Sequence, residues 1–286
     1  MACGWAKRLG GGVQTGVLPL RPLTLGELLD AAVALLRRQA KVLLVAGFVL
    51  AVIEQAALYG LRVGTARPPY LLPYDDRLDI YWLALAVGFA TEIVIITALG
   101  GLTAQAAGPA LLGERVRIRL RNGRFGAVAL IAGVAGVAGF LAAISCLVPW
   151  FLLYAVAGLA VPALVIDRVN PLRAVGRSMA LSCRGGLRGA AVRIAGYVAW
   201  GAVRIALGVG TLALISLAVD SLDDGTRWLI AGIAWALVNT VAYPALACLD
   251  AVLHLETRMR TEGLDIALSR AYATGRPAAA NLALPG

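Results

Sequence analysis

The chain has 286 residues, a formal net charge of +10 and a mean hydropathy of +0.82. Hydrophobic residues make up 60% of it and charged residues only 15%, which is too little charge to cover a soluble protein of this length. This composition excludes a soluble globular fold. The basic excess does not indicate nucleic-acid binding, because most of the arginines lie beside apolar segments, as is typical of membrane proteins.

The amino-terminal segment, residues 1–18, contains Lys7 and Arg8 followed by glycines. Because no apolar run follows these two charges, the segment matches neither a secretory signal nor a lipid-attachment motif. We predict a disordered cytoplasmic leader. The ordered part of the chain is then predicted to be one membrane domain over residues 19–268.

An amphipathic helix is predicted to precede the first membrane span. Thr24 and Glu27 have the spacing of a capping box, so a helix is expected to begin here and to run to about Lys41. Its apolar residues recur at helical spacing: Leu25, Leu28, Leu29, Ala32, Val33 and Leu36. We predict that this helix lies in the cytoplasmic membrane interface.

Six apolar segments are long enough to cross a bilayer core of about 30 Å. They cover residues 42–60, 80–100, 126–146, 148–166, 192–219 and 227–249. Pro149 lies where the third and fourth segments meet, which indicates a hairpin with almost no loop. The predicted fold class is therefore all-α, a polytopic membrane protein of six transmembrane helices with interfacial amphipathic helices.

The distribution of Lys and Arg supports this number of spans. The segments before span one, between spans two and three, between spans four and five, and after span six together hold twenty-one of the 26 basic residues. The alternate loops hold four, and Arg204 lies within a span. Because positive charge marks the cytoplasmic side, we predict a multi-pass plasma membrane protein with both termini in the cytoplasm.

A second amphipathic segment follows span four. Asn170 is a predicted helix cap and Pro171 a favourable first helical residue. We predict that four arginines of this segment share one face and bind anionic lipid headgroups of the inner leaflet: Arg173, Arg177, Arg184 and Arg188. After span six the helix is predicted to continue until Gly263 ends it, and residues 269–286 are predicted to form a disordered cytoplasmic tail.

Three stretches carry a resemblance to a known family: PLRPLTLGELLD at 19–30, NPLRAVGRS at 170–178 and RMRTEGLD at 258–265. In order and spacing they resemble the six-helix actinobacterial membrane proteins related to the membrane domain of glycerophosphoryl diester phosphodiesterase. Glu256 stands where the family pattern has Asp. The resemblance implies a six-helix membrane fold but no reaction, because this family is largely uncharacterised.

Ionisable residues inside a span are costly, so Glu54, Glu92 and Arg204 are the candidate site residues. Counted along the helices, Glu92 and Arg204 lie at similar depths, and we predict an ion pair between them, with Glu54 as a competing partner. These charges either hold the bundle together or line a path for a solute. His254 has no neighbouring ligands in the sequence, and the acidic loop residues lack calcium-loop spacing, so no metal is predicted.

No catalytic motif is recognised in the sequence, and we predict neither an enzyme nor a cofactor. The leading hypothesis is a scaffold or partner subunit of the cell envelope, which would contact membrane lipids, another membrane protein or a second copy of itself. The alternative is a transporter or lipid-handling protein that uses the intramembrane charges, for which a cavity near the midplane is required. An intramembrane enzyme, which would need polar side chains converging on a pocket, is a third hypothesis.

Overall fold

The computed structural model describes residues 21, 23–74, 77–114, 118, 124–184, 187–218, 222–275 and 277–283. The described helices are α1 (Leu25–Arg38), α2 (Ala40–Arg62), α3 (Leu78–Leu111), α4 (Phe125–Ser145), α5 (Leu147–Ala157), α6 (Ala160–Ile166), α7 (Pro171–Cys183), α8 (Arg188–Ala218), α9 (Asp224–Glu262) and α10 (Leu264–Thr274). A short antiparallel hairpin joins α2 to α3 and consists of β1 (Ala66–Arg67) and β2 (Leu72–Pro73). The predicted leader, residues 1–18, and the loop arginines Arg115, Arg117, Arg119 and Arg121 lie outside the described residues.

Six spans are long and apolar enough to cross a membrane, namely α2, α3, α4, α5 together with α6, α8 and α9. The predicted all-α, polytopic fold class is confirmed. Because the number of spans is even, residues 23 and 283 lie at the same side of the bundle. We call this side, where α2 begins, the basic face, and the side of the β-hairpin the opposite face.

The fourth span is broken between α5 and α6, where one continuous segment was predicted. Pro162 lies in the first turn of α6, so it cannot donate a hydrogen bond to the carbonyl of Gly158, and its ring crowds that carbonyl. The preceding hairpin turns at Cys146, whose backbone is extended (φ −176°). Pro149 is the third residue of α5, where a missing N–H leaves no carbonyl unpaired.

Helix α9 is the centre of the bundle and contacts α1, α2, α3 and α8. It has 39 residues, or about 58 Å of helix at ~1.5 Å per residue, so it extends well beyond a ~30 Å membrane core. Its close contact with α2 depends on Gly47, because a Cβ there would lie 2.7 Å from Cγ of Pro244 and 2.8 Å from the carbonyl oxygen of Thr240. The predicted end of this helix at Gly263 is confirmed by a left-handed φ of 65°.

The extended end of α9 is covered by α1 and by the carboxyl-terminal segment. The predicted capping box of Thr24 and Glu27 is present, but α1 packs its apolar residues Leu28 and Leu35 against the protein core. The tail was expected to be disordered from residue 269. Instead, α10 continues to Thr274 and Leu282 is buried in the same core, because the exposed apolar side of α9 needs this cover.

Candidate functional site

Glu54 is a buried carboxylate whose hydrogen-bond donors are all neutral, although the charge of Arg62, two turns further along α2, also acts on it. It lies on α2, about 12 Å along the helix from Arg62 at ~1.5 Å per residue. Its carboxylate accepts hydrogen bonds from the hydroxyls of Thr91 (2.9 Å) and Tyr243 (2.7 Å) and a longer one from the amide of Asn239 (3.4 Å). Among the described residues, no Lys, Arg or His forms an ion pair with Glu54, so the predicted competition for Arg204 is not what the structure contains.

Glu92 and Arg204 form the ion pair that their depths predict. Arg204 Nη1 lies 2.6 Å from Glu92 Oε1, and both side chains are less than a tenth exposed. The Tyr197 hydroxyl donates to the second carboxylate oxygen of Glu92 at 3.0 Å. The predicted contact is confirmed, and it joins α3 to α8 across the interior of the bundle.

A polar cavity of about 110 Å³ lies between these two carboxylates. At ~30 Å³ per water molecule, this volume corresponds to roughly three or four waters. Among the described residues, Arg204 Nε and Asn239 Oδ1 are buried without a hydrogen-bond partner, and both residues line the cavity. The space of water size is therefore lined by residues with one unpaired donor and one unpaired acceptor, as in a binding site for a small polar species.

The cavity is covered at the opposite face by residues 63–74, which we call the cover loop. Tyr70 lines the cavity and donates its hydroxyl to the Trp228 carbonyl at 2.6 Å, while Trp235 donates to the Pro69 carbonyl at 3.0 Å. Tyr70 has a φ of 72°, which is rare for a bulky residue, so these contacts must hold it in place. Burial raises the pKa of Tyr70 to about 12 although Arg62 lies over its ring, so the hydroxyl stays protonated at neutral pH.

A second charged cluster lies at the basic face and is centred on Asp167. One oxygen of Asp167 lies 2.9 Å from His254 Nε2 and 2.8 Å from Arg258 Nη1, and the other accepts from Arg177 Nε at 2.5 Å. Arg177 and Arg258 also bind Glu262, at 2.6 Å and 3.1 Å. Burial alone would raise the pKa of Asp167, but His254 and Arg258 and the hydrogen bond from Arg177 outweigh it and hold the pKa below its usual range.

A third cluster is centred on Glu256 beside it. Arg188 binds both carboxylate oxygens of Glu256, at 3.0 Å and 3.1 Å, and Arg260 also contacts this carboxylate. Both arginines donate to the carbonyl of Leu23 at 2.7 Å, which fixes the chain just before α1. The two clusters therefore use their charges to join α1, α7, α8 and α9.

These contacts correct the predicted lipid-binding face. Helix α7 ends at Cys183, so Arg184 and Arg188 do not continue the helical face of Arg173 and Arg177. Arg177 and Arg188 are engaged in the ion pairs described above, and Arg184, although exposed, forms a longer ion pair with Glu262 at 3.7 Å. Contact with lipid headgroups remains a prediction for the exposed Arg173 and Arg184 only.

The sequence identified the three intramembrane charges but missed most of their partners. Tyr197, Tyr243 and Asn239 are buried polar residues that donate hydrogen bonds to these charged groups. The sequence indicates them only by position, because Tyr197 shares α8 with Arg204 and because Asn239 and Tyr243 are four residues apart on α9. In the part of the chain that is described, no group of three or more His, Cys, Asp or Glu is placed to hold a metal ion. Of the acidic loop residues, Asp75, Asp76 and Asp220 lie outside the described residues, and Asp223 caps α9 by accepting from Thr226.

The fold and the buried charges define an all-α polytopic membrane protein with a polar cavity inside its bundle. No family model, curated protein or solved structure matches the chain.

Proposed function

We propose that the protein transports a small monovalent cation, a proton or a sodium ion, and that Glu54 binds it within the polar cavity. The observation that supports this function is the environment of Glu54, a carboxyl group inside a membrane span with hydroxyl and amide donors but no described basic partner. An unpaired carboxylate is costly at this depth. Binding a cation, or a proton, removes that cost.

The other groups of the site suit this role. Glu92 is paired with Arg204, so these two residues add no net charge to the cavity wall. Arg62 also lines the cavity but donates to Gln55, so among the described residues Glu54 is the carboxylate of the wall without an ion pair, and we assign the exchangeable cation to it. The cover loop separates the cavity from the opposite face, and the aromatic cluster around Trp150, Tyr154 and Tyr197 lies beside the site within the bundle. A polar site between the helices of a bundle, covered by a loop at one face, is compatible with alternating access, in which small movements open one side at a time.

The test measures ion flux into proteoliposomes that contain the purified protein. A potassium diffusion potential set by valinomycin drives cations inward, an entrapped pH dye reports protons, and ²²Na⁺ uptake reports sodium. We expect flux of one of the two ions above that of protein-free vesicles. Glu54→Gln should reduce it to the protein-free rate, because the amide has nearly the shape of the carboxyl but cannot carry the exchangeable charge.

Glu114→Gln provides the matched control, because Glu114 is exposed at the end of the α3 helix and does not line the cavity. This variant should retain the wild-type flux. Thermal unfolding of each variant in detergent checks that the fold is intact. The proposal is rejected if wild-type protein passes neither ion, or if Glu54→Gln passes the ion as fast as Glu114→Gln does.

A scaffold or partner-subunit role is a second proposal, and it is supported by the exposure of α8. In an 18-residue apolar stretch of this helix, only 11% is buried inside the chain, against 33% to 56% in the corresponding stretches of the other spans. A broad apolar helix face is where another membrane protein or a second copy would pack. Disulfide cross-linking through Val198→Cys, which lies on the exposed side of α8, would detect a second copy, and the buried Tyr197→Cys should not cross-link.

We further propose the plasma membrane as the location, with the basic face in the cytoplasm, on the grounds of the positive-inside rule. Membership of the glycerophosphoryl diester phosphodiesterase-related membrane family is likewise a proposal. Its support is that Leu23, Arg177 and the pair Arg258 and Arg260, which come from the three stretches of the resemblance, all belong to the charged clusters at the basic face.

A further inference from the structure

A second cavity, separate from the polar one, lies among α3, α4, α5 and α7. It has a volume of about 230 Å³, and its wall is almost entirely apolar. We call it the apolar crevice. Its lining includes Ile96 of α3, Val134 of α4, Leu153 of α5 and Met179 of α7. An apolar space of this size does not hold ordered water well, because water needs two or more polar partners.

Among the described residues that line the apolar crevice, one is charged, namely Arg193 of α8, which is 2% exposed. Its Nε and Nη2 atoms bind the two carboxylate oxygens of Asp250 at 2.6 Å and 3.0 Å, and its guanidinium lies 4.1 Å from the centre of the Tyr154 ring. Nη1 is buried and has no hydrogen-bond partner within the described structure. A buried donor without an acceptor is expensive, and to a charged donor an oxyanion is the strongest acceptor.

The position of the apolar crevice matches one leaflet of a bilayer. Arg193 is five residues from the start of α8, or about 7.5 Å into the span from the basic face. Lining residues Leu130 and Val134 are more than half exposed, and Leu172 at the start of α7 is 88% exposed. The crevice therefore has its charged group near the headgroup level, and its apolar, outward-facing wall extends from that level at Leu172 and Leu130 into the hydrocarbon at Val134.

We propose that the apolar crevice binds one acyl chain of an anionic amphiphile from the basic-face leaflet, with the oxyanion of its head accepting a hydrogen bond from Nη1 of Arg193. A transmembrane helix of a second protein is a poor occupant, because a helix with side chains is about 10 Å wide. The carboxylate of a fatty acid and the phosphate of a phospholipid share the chemistry required. This site is independent of the cation site at Glu54.

The test is equilibrium binding of a fluorescent polyene fatty acid to the purified protein in maltoside micelles, compared with the corresponding alcohol. We expect saturable binding of one acid per chain and affinity for the alcohol lower by about tenfold or more, because the alcohol lacks the charge-assisted hydrogen bond. Competition by an unlabelled fatty acid and by phosphatidylglycerol then identifies which head the site prefers. Failure of both to compete would overturn the proposal.

Two substitutions test the place of binding. Ala138→Phe fills the crevice from α4 and should reduce affinity for the acid by about tenfold or more, whereas Ala129→Phe, on the same helix but outside the crevice, should leave it unchanged. Arg193→Lys keeps a cation for Asp250 but removes the free Nη1 donor, so the preference for acid over alcohol should shrink. If Ala138→Phe unfolds, Ala135→Phe takes its place. Wild-type affinity in the folded crevice variant, or equal binding of acid and alcohol, would show the inference to be wrong.

Discussion

Three of the buried acidic residues, Glu54, Glu92 and Asp250, have different electrostatic environments. Glu92 forms an ion pair with Arg204, Asp250 forms two hydrogen bonds with Arg193, and the described hydrogen-bond donors to Glu54 are hydroxyl and amide groups. A buried ion pair contributes little by itself, because desolvation of both charges offsets their attraction, but removing one partner leaves an expensive unpaired charge. The pairs are therefore expected to behave as units, and Glu54 as a separate group.

The first prediction concerns the Glu92–Arg204 pair. Glu92→Leu and Arg204→Leu should each lower the free energy of unfolding by about 3 to 5 kcal/mol, and the double variant by clearly less than the sum. Glu54→Leu combined with Arg204→Leu should show a smaller coupling, because these two side chains do not form an ion pair. Unfolding by SDS titration in mixed micelles measures each free energy. Additive losses for Glu92 and Arg204 would contradict the structural role given to the pair.

Residue depth placed Glu92 within reach of Arg204 but did not decide between the two acidic residues or identify the rest of the site. Counting ~1.5 Å per residue along the helices puts Glu92 and Arg204 at similar depths, and it puts Glu54 at nearly the depth of Arg204 as well. The same count does not say which way a tyrosine or asparagine points, so Tyr243 and Asn239 were not identified. Trp150 shows the same limit: a tryptophan near the start of a span is typical of an interfacial anchor, but Trp150 is fully buried and donates to the Phe89 carbonyl.

At the scale of elements, the six spans follow from apolar length, whereas the joints between helices depend on single residues. Gly158 and Pro162 together break the fourth span, and the broken segment brings Gly158 against the guanidinium of Arg193. That guanidinium is also held by Asp250 and Tyr154. The break therefore allows a helix backbone to approach a buried charge more closely than any side chain at position 158 would permit.

The second prediction tests this close approach. Gly158→Ala should lower the free energy of unfolding by about 3 kcal/mol or more, because the new Cβ overlaps the guanidinium and forces Arg193 away from Asp250. The backbone is not the reason, since Gly158 has φ −70° and accepts alanine. Gly201→Ala is the control: no atom lies within 4 Å of its Cβ, and it should be neutral or stabilising by about 0.5 to 1 kcal/mol. Equal stability of the two variants in thermal unfolding would reject the explanation.

At the scale of the whole molecule, the chain places its two candidate sites at different depths and in different surroundings. The polar cavity lies under the cover loop of the opposite face, and the apolar crevice opens toward the leaflet of the basic face. The charged clusters around Asp167 and Glu256 then join the helices beyond the membrane core at the basic face alone. Because the two faces differ in this way, the orientation of the chain in the membrane decides from which side each proposed site is reached.

The third prediction tests that orientation with the native cysteines. Cys146 is exposed at the hairpin turn of the opposite face, Cys183 is exposed at the end of α7 on the basic face, and Cys248 is buried. With the remaining cysteines changed to serine, an impermeant maleimide applied to intact cells should label Cys146 but not Cys183, and permeabilisation should add Cys183. The reason is the charge asymmetry, since arginine-rich segments stay in the cytoplasm.

Asp224→Cys, at the start of α9, is a second reporter for the opposite face, in case lipid shields the turn at Cys146. Labelling of Cys183 in intact cells, without labelling at either reporter, would mean that the basic face is external.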